Sequence, residues 1–224
     1  SAWPPVNPWT RSSGDPSLGF YNTSTDTVVA ITDPVCPHYT EQNVVYTRYP
    51  CVPQVYPGQE IKFLVQITNA GTNRLVKSTL IDGLPVEGDT GVILTGQQRG
   101  TQWDPRPPML TPVTLVEGYS GVTTTYTDNT FPGPTFCTTA LANPPVPCPG
   151  SAFPDATPSD STTGFQTVMD LAGSDELDPG ESATLLYSMS APLDIAAPNA
   201  NPVAWNSFAQ KSTFKDQGDH IEVL

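Results

Sequence analysis

Basic residues are scarce in this chain. Lys and Arg total 9 against 22 Asp and Glu in 224 residues, a formal net charge of −13. An acidic surface repels phosphate backbones and anionic lipid, and no basic patch interrupts it, so no nucleic-acid partner is expected. No apolar run is long enough to span a bilayer, and none keeps a 3.6-residue period. Direct membrane insertion and a helical fold are therefore both disfavoured. Only two histidines occur, His38 and His220, and no G-x-S-x-G is present, so nothing suggests a nucleophile activated by a placed imidazole. C-x-x-C is also missing, which argues against a zinc ribbon or a thioredoxin-like redox site.

What is present is proline and glycine, 26 and 17 residues, with much Ser and Thr. Proline and glycine resist helix interiors, so the composition favours short strands joined by turns and long loops. The stretch GQEIKFLVQITNAG (58–71) is the most regular. Ile61, Phe63, Val65 and Ile67 fall on one face, and Lys62, Leu64, Gln66 and Thr68 on the other, which predicts a half-buried antiparallel strand with one wet face. Further strands are expected in TDTVVAIT (25–32), RLVKSTLIDGLP (74–85), TGFQTVMDL (163–171), LDPGESATLLYSMSAP (177–192), PVAWNSFAQKSTF (202–214) and HIEVL (220–224). Residues 1–25 read as an extended lead-in, and 26–224 as one domain. GVILTG (91–96), TPVTLVEGY (111–119) and VTTTYT (122–127) are strand-like, but about 97–160 is expected to be an insertion with its own hairpin.

Four cysteines form two local pairs, Cys36/Cys51 and Cys137/Cys148, each in a Pro-rich polar stretch. Three pairings are formally open, and the local one closes the shortest loops. Disulfides imply an oxidising compartment. The start, SAWPPVNPW, reads as a mature or trimmed terminus, and the chain as exported.

The segments YPGQEIKFLVQITNAGTNRLVKSTLIDGLP and LDPGESATLLYSMSAP, followed by AWNSFAQ, resemble the DUF11-type repeat of bacterial surface proteins. TRYPCVPQVYPGQ and the GDTGVI after GLP resemble its variant in large actinobacterial, Gram-positive wall-anchored proteins. The resemblance covers about 54–96 and 177–214, and the insertion and lead-in depart from it. It implies an all-β, immunoglobulin-like antiparallel β-sandwich. It also implies a non-catalytic structural or adhesive role at the cell wall, with a host or cell-surface protein or glycan, and neighbouring domains of the same polypeptide, as partners.

Several residues are candidates for chemistry or binding. Trp103, Tyr119, Tyr126 and Phe131 could form an aromatic platform for sugar rings, the requirement of an alternative reading as a carbohydrate-binding module. Asp170, Asp175, Glu176 and Asp178 in DLAGSDELDPG could supply oxygens to calcium, although their spacing is not that of an EF-hand. DTG (89–91) has the letters of an aspartic protease loop, but it occurs once, so the partner Asp would have to come from a second copy of the chain in a homodimer, and a secreted hydrolase ranks last. A Lys–Asn isopeptide crosslink would need an inward lysine beside an Asn and a carboxyl. Lys62 lies on the opposite face from Phe63, the face of Lys77 is ambiguous, and Asn206 is the one amide to nominate.

Overall fold

A computed structural model describes residues 6–12, 19–90, 92, 98–104, 106–128, 152–171, 173, 175–193, 204–215 and 219–223. The period-two stretches become strands because alternate side chains can then be buried on one face. β7 (Glu60–Thr68) and β12 (Ser182–Ser190) are the two strands that follow Pro-Gly, and they pair with each other in antiparallel register. Phe63 lies opposite Tyr187, Val65 opposite Leu185 and Ile67 opposite Ala183.

The Pro-Gly turns that launch these strands are built alike. Gln59 N bonds Tyr56 O at 3.1 Å and Glu181 N bonds Asp178 O at 2.9 Å, with Gly58 and Gly180 at φ 76° and 90°. Proline then glycine suits a turn whose third residue needs positive φ. Each fourth residue also reaches back: Gln59 Oε1 accepts from Tyr56 N, and Glu181 Oε2 from Asp178 N.

Around this pair lies a six-stranded antiparallel sheet. Its order is β4 (His38–Glu41), β5 (Val44–Thr47), β1 (Val6–Ser12), β7, β12, β9 (Met109–Leu115). Facing it is a five-stranded sheet ordered β10 (Val122–Thr127), β11 (Gly164–Asp170), β8 (Leu75–Gly83), β13 (Ser207–Phe214), β14 (Asp219–Val223). One apolar core lies between them, with Phe63, Val65, Ile67, Leu185 and Met189 from one side and Leu80, Phe165, Met169 and Phe208 from the other. This is the all-β, immunoglobulin-like antiparallel sandwich that the resemblance implied, two facing sheets around one core. A small third sheet, β3 (Thr27–Val29), β2 (Phe20–Asn22), β6 (Cys51–Pro53), buries Phe20 against the Cys36–Cys51 disulfide, which is one of the expected pairs. Cys137 and Cys148 lie outside the described residues.

Three expectations are corrected. The lead-in is not merely draped on the body, because β1 pairs with β7 along its whole length, from Val6↔Ile67 to Ser12↔Ile61. The strand-like pieces of the supposed insertion do not form a hairpin of their own: β9 pairs with β12 and β10 with β11, so each extends a different main sheet. The outer face of β7 is not uniformly wet either, since Leu64 is fully buried against Tyr46, with Tyr39, Val44 and Leu186 beside it.

Candidate functional site: a sealed polar centre between the sheets

The most unusual chemistry lies inside the core. Asp82 is near the end of β8, at the parity that also points Leu80 inward. It is fully buried and lies opposite Phe165 on β11 and Phe208 on β13. Tyr187 reaches it from the facing sheet and donates to Asp82 Oδ2 at 2.8 Å. Asn206, just before β13, donates from Nδ2 to the same oxygen at 2.9 Å and to the Tyr187 hydroxyl at 2.7 Å. Aromatic rings fix the tyrosine: Phe63 stacks on it with centroids 4.9 Å apart, and Phe165 meets it edge-on at 5.0 Å.

Burial dominates the electrostatics of this trio. Loss of water pushes the Asp82 carboxyl up to about 7, although the Tyr187 and Asn206 bonds and the charge of Arg99 pull the other way. Burial and the neighbouring Asp82 likewise hold the Tyr187 phenol well above its ordinary range. Two oxygens of the trio, Asp82 Oδ1 and Asn206 Oδ1, are buried with no hydrogen-bond partner.

A second buried cluster adjoins the first. The DTG aspartate, Asp89, closes a turn: its N bonds Val86 O at 3.1 Å, and its Oδ2 accepts from Val86 N at 2.9 Å. The same oxygen accepts from Thr101 Oγ1 at 3.1 Å and pairs with the Arg99 guanidinium. Arg99 also reaches Gly83 O at 3.4 Å. Thr101 Oγ1 in turn accepts from Trp205 N at 3.3 Å, which anchors the residue preceding Asn206. Asp89 therefore serves a turn and an internal ion pair, and among the described residues no second aspartate joins it. Burial lowers the pKa of both Arg99 and Arg106, against the pull of Asp89.

An acid beside an amide is the setting in which an amine could attack the amide carbon. No described lysine takes that place. Lys62 lies opposite Ser188, on the face of β7 away from Phe63. Lys77 and Lys211 share the parity of Thr79, on the face of β8 and β13 away from Asp82. The nominated Asn206 does meet a carboxyl, but its neighbour is a phenol.

The other candidates are placed as follows. Trp103 is buried in the main core beside Met109, and Tyr126 is buried there too, with its hydroxyl accepting from Val113 N at 2.9 Å. Tyr119 is partly buried against the same core. The expected aromatic platform thus loses Trp103 and Tyr126, which fill the gap between the sheets, while Tyr119 keeps part of its surface exposed. Phe131 lies outside the described residues.

The acids of 170–178 do not gather. Ser120 donates from N and Oγ to Asp175, while Glu176 pairs with Lys215 and Arg74, and Asp178 with Arg74. Asp170 is exposed at the end of β11. Among the described residues no group of three or more His, Cys, Asp or Glu is placed to hold a metal. Cationic side chains and a hydroxyl take up the oxygens instead. His38 is on the edge strand β4, with Nδ1 3.2 Å from Cys36 O, and His220 is on β14.

Comparison with known proteins adds little. No family model and no curated protein matches the chain. Among solved structures, the pilus backbone protein of Streptococcus pneumoniae aligns at 15% identity and a TM-score of 0.26. The alignment covers 73% of this chain and 28% of that one, so the chain spans less than a third of the neighbour's length.

Proposed function

We propose that this chain is a non-catalytic structural module of a bacterial cell surface, a rigid sandwich that spaces or presents binding loops and neighbouring domains. The observation that carries the reading is where the reactive groups are. The acid with the most perturbed proton affinity, Asp82, and its tyrosine are sealed between the sheets, and both are consumed in holding the sheets together. A working acid–base pair must reach substrate. The disulfide, the acidic surface and the resemblance to wall-associated repeats support an extracellular setting. The carbohydrate-binding alternative would need aromatic faces other than the buried Trp103 and Tyr126.

The test is surface accessibility on cells that make the full-length protein. Antibody against this domain should label intact cells, and external protease should remove the label. Signal confined to lysed cells would refute the surface assignment. Binding of the purified domain to an array of glycans and matrix proteins tests the adhesive half separately.

A further inference from the structure

The sealed trio has one polar feature that hydrogen bonding leaves unresolved. Asp82 Oδ2 accepts two bonds, from Tyr187 and Asn206, while Asp82 Oδ1 and Asn206 Oδ1 are both buried and unpartnered. Two orphaned acceptors on groups already joined by one hydrogen bond would be costly if both were bare oxygens. One proton removes the conflict. A carboxylic acid and a primary amide form a two-bond pair: the amide N–H donates to one carboxyl oxygen, and the acid O–H donates to the amide oxygen. The first bond is present, at 2.9 Å between Asn206 Nδ2 and Asp82 Oδ2.

We propose that Asp82 is held as a neutral acid in the folded protein, its Oδ1–H donated to Asn206 Oδ1, so that this pair is a proton-dependent latch between β8 and the segment entering β13. The latch is closed in acid and opens when the proton is lost. Among the described residues, these groups bear on it. Tyr187 comes from β12, Asn206 precedes β13, Phe165 on β11 and Phe63 on β7 supply apolar walls, and Arg99, paired with Asp89, supplies the nearest charge. Tyr187 and Arg99 favour the ionised acid; burial opposes it and outweighs them. The direction for stability follows. The folded-state proton affinity is raised above that of the unfolded chain, so the folded protein binds the extra proton between the ordinary carboxyl range and about pH 7. The stabilisation is fully present below that window and is lost as pH rises through it.

The experiment is a titration of the intact chain. The carboxyl carbon of Asp82, followed by 13C NMR with assignment from Asp82→Asn, should titrate near neutrality. Urea unfolding from pH 4.5 to 9 should show the folded-to-unfolded ratio falling as pH rises toward 7, by up to about tenfold per unit, and then levelling off. In Asp82→Asn an amide stands in for the neutral acid, so the fall should vanish and the variant should match or exceed the wild type above pH 8. Tyr187→Phe removes a donor that favours the charged form and should move the carbon's midpoint upward. A midpoint in the ordinary carboxylate range overturns the proposal, and so do parallel pH profiles for wild type and Asp82→Asn. If Asp82→Asn fails to fold, the Tyr187→Phe shift and the wild-type midpoint, assigned through backbone connectivity, still decide.

Discussion

Replacing Asn69 by Ala should destabilise the sandwich by about 2–3 kcal/mol, although the residue carries no apolar payload. Asn69 ends the first Pro-Gly strand and is fully buried. Its Nδ2 donates to Asn73 O and to Leu177 O, both at 2.8 Å, and its Oδ1 accepts from Gly71 N at 3.0 Å. The side chain thus ties the turn after β7 to the segment leading into β12, 108 residues away. At about 1 kcal/mol for each intramolecular bond, three bonds set a scale of about 3 kcal/mol. The partners left behind decide the correction. Leu177 O keeps a bond from Leu75 N at 3.0 Å, and Asn73 is only half-buried, so water can reach its carbonyl. Gly71 N loses the acceptor that shapes the turn. These considerations bring the figure toward 2 kcal/mol. The assay is urea unfolding followed by tryptophan fluorescence, in which the midpoint should fall while the slope stays constant. For a chain of this size the melting temperature should drop by roughly 4–12 °C. Asn69→Asp, which keeps the acceptor and loses both donors, should cost at least as much. A loss under about 0.5 kcal/mol in Asn69→Ala would refute the claim that this side chain staples the two halves.

Phe63→Ala removes the ring stacked on Tyr187 and should cost about 3–5 kcal/mol in urea unfolding, whereas Phe63→Leu should cost under about 2. Gly121→Ala would bring a Cβ within 2.2 Å of Asp170 O at φ 74°, while Gly100, at φ 78°, has nothing within 4 Å. Both pay for the left-handed backbone, about 1 kcal/mol, but only Gly121→Ala must also move β11, so its melting temperature should fall further. Replacing Cys36 and Cys51 by Ser opens a loop of 15 residues and should lower stability by about 3 kcal/mol, with faster amide exchange in β2 and β6. Equal exchange in the two forms would show that Phe20 and its neighbours hold the small sheet without the bridge.

The strands that were legible in the sequence share one property: their alternate residues serve a single core. β7 and β12 keep a period of two in their apolar residues, and these two, with β8, β11 and β13, each fall within the segment marked in the sequence. β1 was hidden because VNPWTRS carries Pro8, which argues against a central strand. The pairing explains the exception. β1 pairs with β5 only at Thr10↔Thr47, so at Pro8 the strand has a ladder partner on the β7 side alone. Proline there need not remove a bond. β9 is similar: among the described residues it pairs with β12 alone and forms the edge of its sheet, where Pro112 is tolerated. The sequence pattern correctly found strand-forming residues in both β9 and VTTTYT. It could not say that they belong to opposite sheets, since partner choice is a tertiary matter.

The polar centre was half legible for the same reason. Asp82 followed by Gly83 reads locally as a turn acid, yet it shares the parity of Leu80, and a carboxyl on a core-facing position must find donors or a proton. Tyr187 shares the parity of Leu185 and Met189, so its hydroxyl also needs a partner inside. Strand parity alone therefore places an acid and a phenol in one core. Nothing in local pattern makes them meet, because the residues are 105 apart in the chain, and Asn206 is 124 from Asp82. The Asp89–Arg99 pair was not legible at all, since neither residue belongs to a periodic element. Its role emerges through contacts: Asp89 holds Thr101, Thr101 holds Trp205, and Trp205 precedes the amide that meets Asp82. The aperiodic loop thus positions one member of the trio that the periodic strands enclose, so its sequence is constrained by the core, as theirs is.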